Sequence, residues 1–188
     1  DRPDLIHYFS KYSPVGCRDE KTLMIFRKYG IESYLMGCIS LCLPHRKTEP
    51  SDYKVFLVDT SEELEKYIPN EIKSHSEYLS HAIKYREYPI TEEEDDRLKG
   101  IAKKILRKYS EEASLVVTSR LHAAVPCITM GIPVIFASNN IDFRFGWLDK
   151  YIKLYAYEDY GSIDWNQKPL NIEHEKSLIV SYIKNSIA

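Results

Sequence analysis

Short apolar runs alternate along this chain with longer amphipathic segments. The runs 115–117 (LVV) and 133–136 (PVIF) each have the length of a buried strand. Between them, Thr118 and Ser119 are favourable N-cap residues for a helix, and Gly131 is a natural residue for its end. Because two strands joined through a helix lie parallel in a sheet, this pattern predicts a strand–helix–strand unit with parallel strands.

The same alternation extends over much of the chain. Residues 13–35 predict a second unit of this kind, with a helix that begins near Asp19 and ends at Gly30. Residues 53–59 (YKVFLVD) predict a strand with an acidic residue at its end, and residues 91–106 combine a capping box with apolar positions at helical spacing. The chain is therefore predicted to be an α/β protein with a Rossmann-like parallel sheet and flanking helices.

Residues 45–52 are polar and have a proline near each end, which is typical of a linker. We expect residues 1–44 to form the end of an N-terminal Rossmann-like domain whose remainder is not in this sequence. Residues 53–188 then form a C-terminal Rossmann-like domain, because the strong strand after the linker resembles the first strand of a new α/β domain.

Composition narrows the possible functions. The 188 residues carry a net charge of −2 with both signs mixed, which argues against nucleic acid as a partner. No apolar run reaches the length of a membrane span, so we expect no integral membrane segment. The four cysteines lack the paired spacing of a zinc site and are expected to be free thiols in a reducing cytoplasm.

Arg120 and His122 fall in the first turn of the helix that follows the strand at 115–117. In open parallel sheets, ligands bind at the carboxyl ends of the strands, where helix N-termini present free N–H groups. A bidentate cation beside a group that titrates near neutrality suits an anion such as a phosphate or a carboxylate. The alternative interpretation is a solvated helix start that binds nothing.

Further candidates lie at similar junctions. Arg18 follows the first strand of the 13–35 unit, at the place that Arg120 takes in the later unit. The loop 138–148 also leaves the carboxyl end of a strand and is rich in hydrogen-bonding groups, and loops in this position often carry ligands. The residues that we expect to bind substrate are Ser119, Asp19, Ser138, Asn139, Asn140 and Arg144.

Two blocks of the sequence, in order, resemble the polysaccharide pyruvyl transferase family. The first is residues 14–20 (PVGCRDE) with Thr22, and the second is residues 118–123 (TSRLHA) followed by 131–135 (GIPVI). The intervening residues 37–44 (GCISLCLP) also fit. The resemblance implies a fold of glycosyltransferase-B type, in which two Rossmann-like domains face each other across a cleft.

The resemblance also implies an activity. Members of the family move a pyruvyl group from phosphoenolpyruvate onto two hydroxyls of a surface-polysaccharide sugar or its lipid-linked precursor, as a ketal. Arg18, Arg120 and His122 would be the catalytic residues, and His122 would deliver a proton to the methylene carbon of the donor. No cofactor or metal is expected, and phosphoenolpyruvate is the donor substrate. Such an enzyme of capsule or exopolysaccharide biosynthesis would work in the cytoplasm or peripherally at the inner face of the membrane.

Two other functions stay open. A nucleotide-sugar glycosyltransferase of the same fold would usually present two glutamates eight residues apart near its donor. Glu63 and Glu71 have this spacing, although Pro69 lies between them. The other alternative is a non-catalytic carbohydrate-binding relative.

Overall fold

A computed structural model describes residues 2–86 and 88–187 of the chain. The first elements are helix α1 (Pro3–Lys11), strand β1 (Val15–Cys17), helix α2 (Glu20–Lys28) and strand β2 (Ser33–Leu35). β1 and β2 pair in parallel, which confirms the predicted strand–helix–strand unit. Asp19 caps α2, because its carboxylate accepts a hydrogen bond from the N–H of Thr22 at 2.9 Å.

The main sheet follows a short 3-10 helical turn (Ile39–Cys42). Its parallel strands are β3 (Val55–Val58), β4 (Ser76–Leu79), β5 (Leu115–Thr118), β6 (Val134–Ala137) and β7 (Leu154–Tyr155). The helices that connect and close it are α3 (Glu62–Glu65), α4 (Asn70–Ser74), α5 (Glu92–Glu112), α6 (Leu121–Thr129) and α7 (Glu173–Ile187). The strand order is β4-β3-β5-β6-β7, and the prediction of a Rossmann-like α/β fold is confirmed.

The strands β3, β5 and β6 of the main sheet are buried on both faces, as their continuous apolar sequences predict. Phe56 and Val58 of β3 belong to one core, which α5, α6 and α7 cover. Val55 and Leu57 belong to the other core, which α3 and α4 cover. Leu41 of the 3-10 turn is fully buried in the first core, so the segment before residues 45–52 packs into the layer of α6 and α7 that covers this face of the main sheet.

Residues 43–54 connect the 3-10 turn to β3 without a helix or strand. The division of the chain into two domains around this segment stays a prediction. Cys17, Cys38 and Cys127 are buried and Cys42 is half-buried, all as free thiols. Within the described part of the chain, no helix is both long enough and apolar enough to cross a membrane.

Candidate active site

The polar residues of the candidate site lie where the parallel strands of the main sheet end. Asp59 follows β3, Ser80 and His81 follow β4, Ser119 follows β5, and Ser138 follows β6. Hydrogen bonds join these strand ends, since the hydroxyl of Ser119 donates to the main-chain oxygen of Asp59 at 2.7 Å. The edge is therefore a connected surface rather than a set of independent loops.

Helix α6 begins at this edge, but not as predicted. Its N-cap residue is Arg120 and no side-chain hydrogen bond caps it, so the prediction that Thr118 or Ser119 is the N-cap is wrong. The hydroxyl of Thr118 donates to the main-chain oxygen of Val58 at 3.0 Å and accepts from the N–H of Arg120 at 2.9 Å. Because both hydroxyls fasten the turn to β3, the first N–H groups of α6 receive no side-chain cap from the described residues.

A cavity of about 630 Å³ opens at the start of α6. Its lining combines Arg18, from the β1–α2 junction, with residues at the ends of β4, β5 and β6. The β1–α2–β2 unit and the main sheet thus both contribute to this cavity. The residues predicted for the site that line this cavity are Arg18, Ser119, Arg120, His122, Ser138, Asn140 and Arg144.

The three arginines in this lining differ in their partners. Nε of Arg18 is buried and has no hydrogen-bond partner among the described residues. Nε of Arg120 donates to Oδ2 of Asp59 at 2.9 Å. Arg144 is held by a carboxylate of its own loop, because both its Nε and its Nη2 donate to Asp142. The lining therefore carries three guanidinium groups, and among the described residues the Nε of Arg18 is its buried guanidinium nitrogen without a hydrogen-bond partner.

This geometry suits an anionic ligand. The family model of polysaccharide pyruvyl transferase matches residues 1–141. The chain belongs to the polysaccharide pyruvyl transferase family. It is thus a member of an enzyme family, one that transfers pyruvyl groups to polysaccharide. Comparisons with the curated proteins and with the solved structures return no match.

The match to the pyruvyl transferase model contains both arginine junctions of the cavity. Arg18, Arg120 and His122 all fall within residues 1–141, as does the strand end at Ser138. Arg144 lies just beyond the matched range. The family model therefore includes the parts of the cavity that the sequence blocks indicated.

Two residues predicted for the pyruvyl transferase site lie away from the described cavity lining. Asp19 is buried as the N-cap of α2, where its carboxylate also accepts from the hydroxyl of Thr22 at 3.0 Å. The side chain of Asn139 binds residues on the α3 side of the sheet. Its oxygen accepts from the Tyr160 hydroxyl at 2.6 Å, and its amide nitrogen donates to Glu63 at 3.0 Å. Their polar groups support local structure in this geometry.

The cavity of this pyruvyl transferase contains two histidines, of which the sequence reasoning selected one. His122 is exposed in the first turn of α6, as predicted from its position. His81 was missed; it is half-buried, and its Nε2 lies 2.7 Å from the hydroxyl of Tyr109. Burial lowers the pKa of His81. Its position directly after β4 would have indicated it, but residues 75–81 do not identify β4 as a strand from sequence alone.

Asp59 is a second residue that sequence reasoning left without a role. Burial alone would raise the pKa of its carboxyl, but hydrogen bonds from Ser80, the N–H of His81 and Arg120 together hold that pKa below its ordinary value. Asp59 is therefore a carboxylate in the working protein. Within residues 2–86 and 88–187, no three His, Cys, Asp or Glu side chains are grouped so that they could hold a metal ion.

Proposed function

We propose that the cavity binds phosphoenolpyruvate and that the protein transfers the pyruvyl group to two hydroxyls of a saccharide, forming a ketal. The main support is the buried Nε of Arg18, which lacks a partner among the described residues although Arg18 lines the cavity. A buried donor without an acceptor is costly, and native proteins rarely retain one. An oxygen of a phosphate or carboxylate in the cavity would supply the missing acceptor.

Phosphoenolpyruvate carries both of these anionic groups. Arg18 and Arg120 offer two guanidinium groups, which bind oxyanions through directed, charge-assisted hydrogen bonds. The nine-residue helix α6 adds an N-terminus without a side-chain cap, and such a terminus favours negative charge. The donor chemistry and the residue types of the cavity therefore correspond.

His122 is the proposed proton donor. Protonation of the methylene carbon creates an oxocarbenium-like centre, and one sugar hydroxyl attacks this centre and loses its proton. The bond between the same carbon and the phosphate oxygen then breaks, phosphate leaves, and the second hydroxyl closes the ketal as it loses its own proton. One hydroxyl proton restores the imidazolium and the other leaves on the phosphate, so the products are the ketal and inorganic phosphate.

The acceptor and the architecture belong to the same proposal. The family indicates a polysaccharide acceptor. We propose a cell-envelope saccharide or its lipid-linked precursor, pyruvylated in the cytoplasm at the inner face of the membrane. In a glycosyltransferase-B-like arrangement, residues 1–44 and 53–188 would belong to the two facing domains, which is consistent with a cavity lined from both segments.

Calorimetric titration of phosphoenolpyruvate into the full-length protein tests the donor. We expect the wild-type protein to bind it and Arg18→Ala to lose most of the affinity. Arg107→Ala is the matched control and should bind normally, because Arg107 is an exposed arginine of α5 paired with Glu111. Binding of a nucleotide-sugar instead would favour a glycosyltransferase, and carbohydrate binding without either donor would favour a non-catalytic relative.

The variant His122→Gln separates binding from chemistry. It should bind phosphoenolpyruvate with near-normal affinity but form neither ketal nor free phosphate when a saccharide acceptor is added. Mass spectrometry of the saccharide and a phosphate assay measure both products. Turnover at the wild-type rate would remove His122 from the reaction while leaving the donor assignment intact.

A further inference from the structure

Asp59 occupies an unusual backbone position at the end of β3. Its φ is +47°, and among the described residues it is the one non-glycine with a positive φ. Such a conformation is disfavoured for residues with a Cβ and persists only where the surroundings fix it. A residue kept in this conformation at the edge of a binding cavity is a candidate for a functional role.

The surroundings of Asp59 do fix it, through both its main chain and its carboxylate. Its main-chain N–H donates to the oxygen of Leu79 at 3.1 Å, and its main-chain oxygen accepts from the Ser119 hydroxyl. Oδ1 accepts from the Ser80 hydroxyl at 2.7 Å and Oδ2 from the N–H of His81 at 3.0 Å. One residue thus joins the ends of β3, β4 and β5.

The same carboxylate also holds Arg120. Oδ2 accepts from Nε of Arg120 at 2.9 Å, and the Asp59 side chain is 14% exposed while that of Arg120 is 52% exposed. Contact through Nε leaves the two terminal nitrogens of the guanidinium without a hydrogen-bond partner among the described residues. A long, half-exposed arginine side chain without such a partner adopts many rotamers. Binding a ligand would then cost side-chain conformational entropy and lower the affinity.

We propose that Asp59 is a positioning residue for pyruvyl transfer, which orients the guanidinium of Arg120 so that its terminal nitrogens face the donor. This inference rests on the proposed function, because the donor is the anion that Arg120 would bind. Asp59 acts through Arg120 and need not touch the substrate. The carboxylate of Asp59 is already anchored by Ser80 and His81, so it offers Arg120 a fixed partner.

The variant Asp59→Asn tests the role with little change in shape. Asparagine tolerates a positive φ better than most residues, so the backbone at this position is kept while the charge is removed. The matched control is Glu77→Gln, which removes a carboxylate of β4 that pairs with Lys54 and Lys108 and does not line the described cavity. Thermal unfolding of both variants measures how much each carboxylate supports the fold.

Steady-state kinetics with phosphoenolpyruvate then separate positioning from stability. Because a charge-assisted hydrogen bond is lost, we expect Asp59→Asn to raise the KM for phosphoenolpyruvate by about tenfold to a hundredfold, with a smaller change in kcat. Glu77→Gln should leave both constants unchanged. In an Arg120→Ala background, Asp59→Asn should have no further effect on KM, because the residue that it orients is gone.

The outcomes distinguish this inference from the proposed function. An unchanged KM in Asp59→Asn, or an equal further loss in the Arg120→Ala background, would overturn the positioning role while the donor assignment stands. A wild-type protein that neither binds nor consumes phosphoenolpyruvate would overturn both. A rise in KM that disappears in the Arg120→Ala background would support the role of Asp59 through Arg120.

Discussion

Asp142 accepts hydrogen bonds from both Nε and Nη2 of Arg144, at 2.9 and 2.6 Å. The charge of Arg144 is thus largely neutralised within its own loop. Arg18 lines the same cavity with a buried Nε that has no partner among the described residues. An anion entering the cavity would complete the hydrogen bonds of Arg18, whereas it would have to compete with Asp142 for Arg144.

We therefore predict that the two arginines contribute unequally to donor affinity. Arg18→Ala should weaken phosphoenolpyruvate binding by at least about tenfold, because it removes a charged hydrogen bond to the donor. Arg144→Ala should weaken binding by about threefold or less, because Asp142 already accepts most of the hydrogen bonds of Arg144. Calorimetric dissociation constants measure the ratio. Equal losses would mean that the cavity responds to total positive charge and not to the pairing of each arginine.

Gly131 offers a test of the fold. It ends α6 with a φ of +75°, and a Cβ atom there would collide with the imidazole of His45. Gly131→Ala should lower the free energy of unfolding by about 1–2 kcal/mol for the left-handed backbone alone. The collision with His45 adds to this loss. Urea unfolding measures the change.

Gly100 is the matched control for Gly131. It lies in the exposed middle of α5, and a Cβ there would meet open space. Gly100→Ala should therefore raise the free energy of unfolding by about 0.5–1 kcal/mol, because glycine is the poorer residue in a helix interior. Similar effects of the two substitutions would contradict the assigned conformation of Gly131.

Elements specified by local sequence were predictable. The strand from the run 53–59 and the helix starts at Asp19 and Thr91 follow from apolar runs and capping residues a few positions apart. The start of α6 was not predictable in this way. The hydroxyls of Thr118 and Ser119 bond to β3, and a bond to a strand sixty residues earlier leaves no local pattern.

The candidate site shows the same division. Arg18, Arg120 and His122 each follow from a place after a predicted strand, but local sequence does not show that the two junctions share one cavity. Only the family resemblance indicated that Arg18 would meet the other two. His81 was missed because residues 75–81 fit either a helix or a strand, so no carboxyl end could be assigned there. Asn139 and Asn140 are neighbours in one loop, yet only Asn140 belongs to the cavity lining described, while the side chain of Asn139 binds Tyr160.

We predict that Glu94 makes the stability of the fold depend on pH in the acid range. It is 4% exposed in the first turn of α5, and hydrogen bonds from Arg97 and from the N–H of Arg86 lower its pKa from 4.5 to about 2. The unfolded state therefore binds a proton before the native state does as the pH falls. The stability contributed by this carboxylate is fully present above about pH 4.5 and is lost as the pH approaches 2.

Glu94→Gln should therefore reduce the thermal midpoint near neutral pH, and its difference from the wild-type protein should shrink as the pH is lowered through this range. Glu93→Gln, one position away and exposed, is the control and should follow the wild-type curve. Thermal unfolding followed by circular dichroism at a series of pH values measures both. A pH-independent difference for Glu94→Gln would show that the loss reflects shape and not the titration of the carboxyl.

His81 predicts a second pH dependence, nearer neutrality. Burial lowers the pKa of its imidazole from the ordinary 6.5, and its Nε2 is 2.7 Å from the hydroxyl of the fully buried Tyr109. As the pH falls, the unfolded chain takes up a proton on this residue before the native protein does, so stability present above about pH 6.5 is lost below it. His81→Gln removes this titration, and its stability difference from the wild-type protein should narrow between about pH 7.5 and pH 5.5.

His75→Gln removes an exposed histidine as a control and should leave the wild-type pH dependence in place. Parallel stability curves for wild type and His81→Gln would contradict a lowered pKa for this half-buried imidazole.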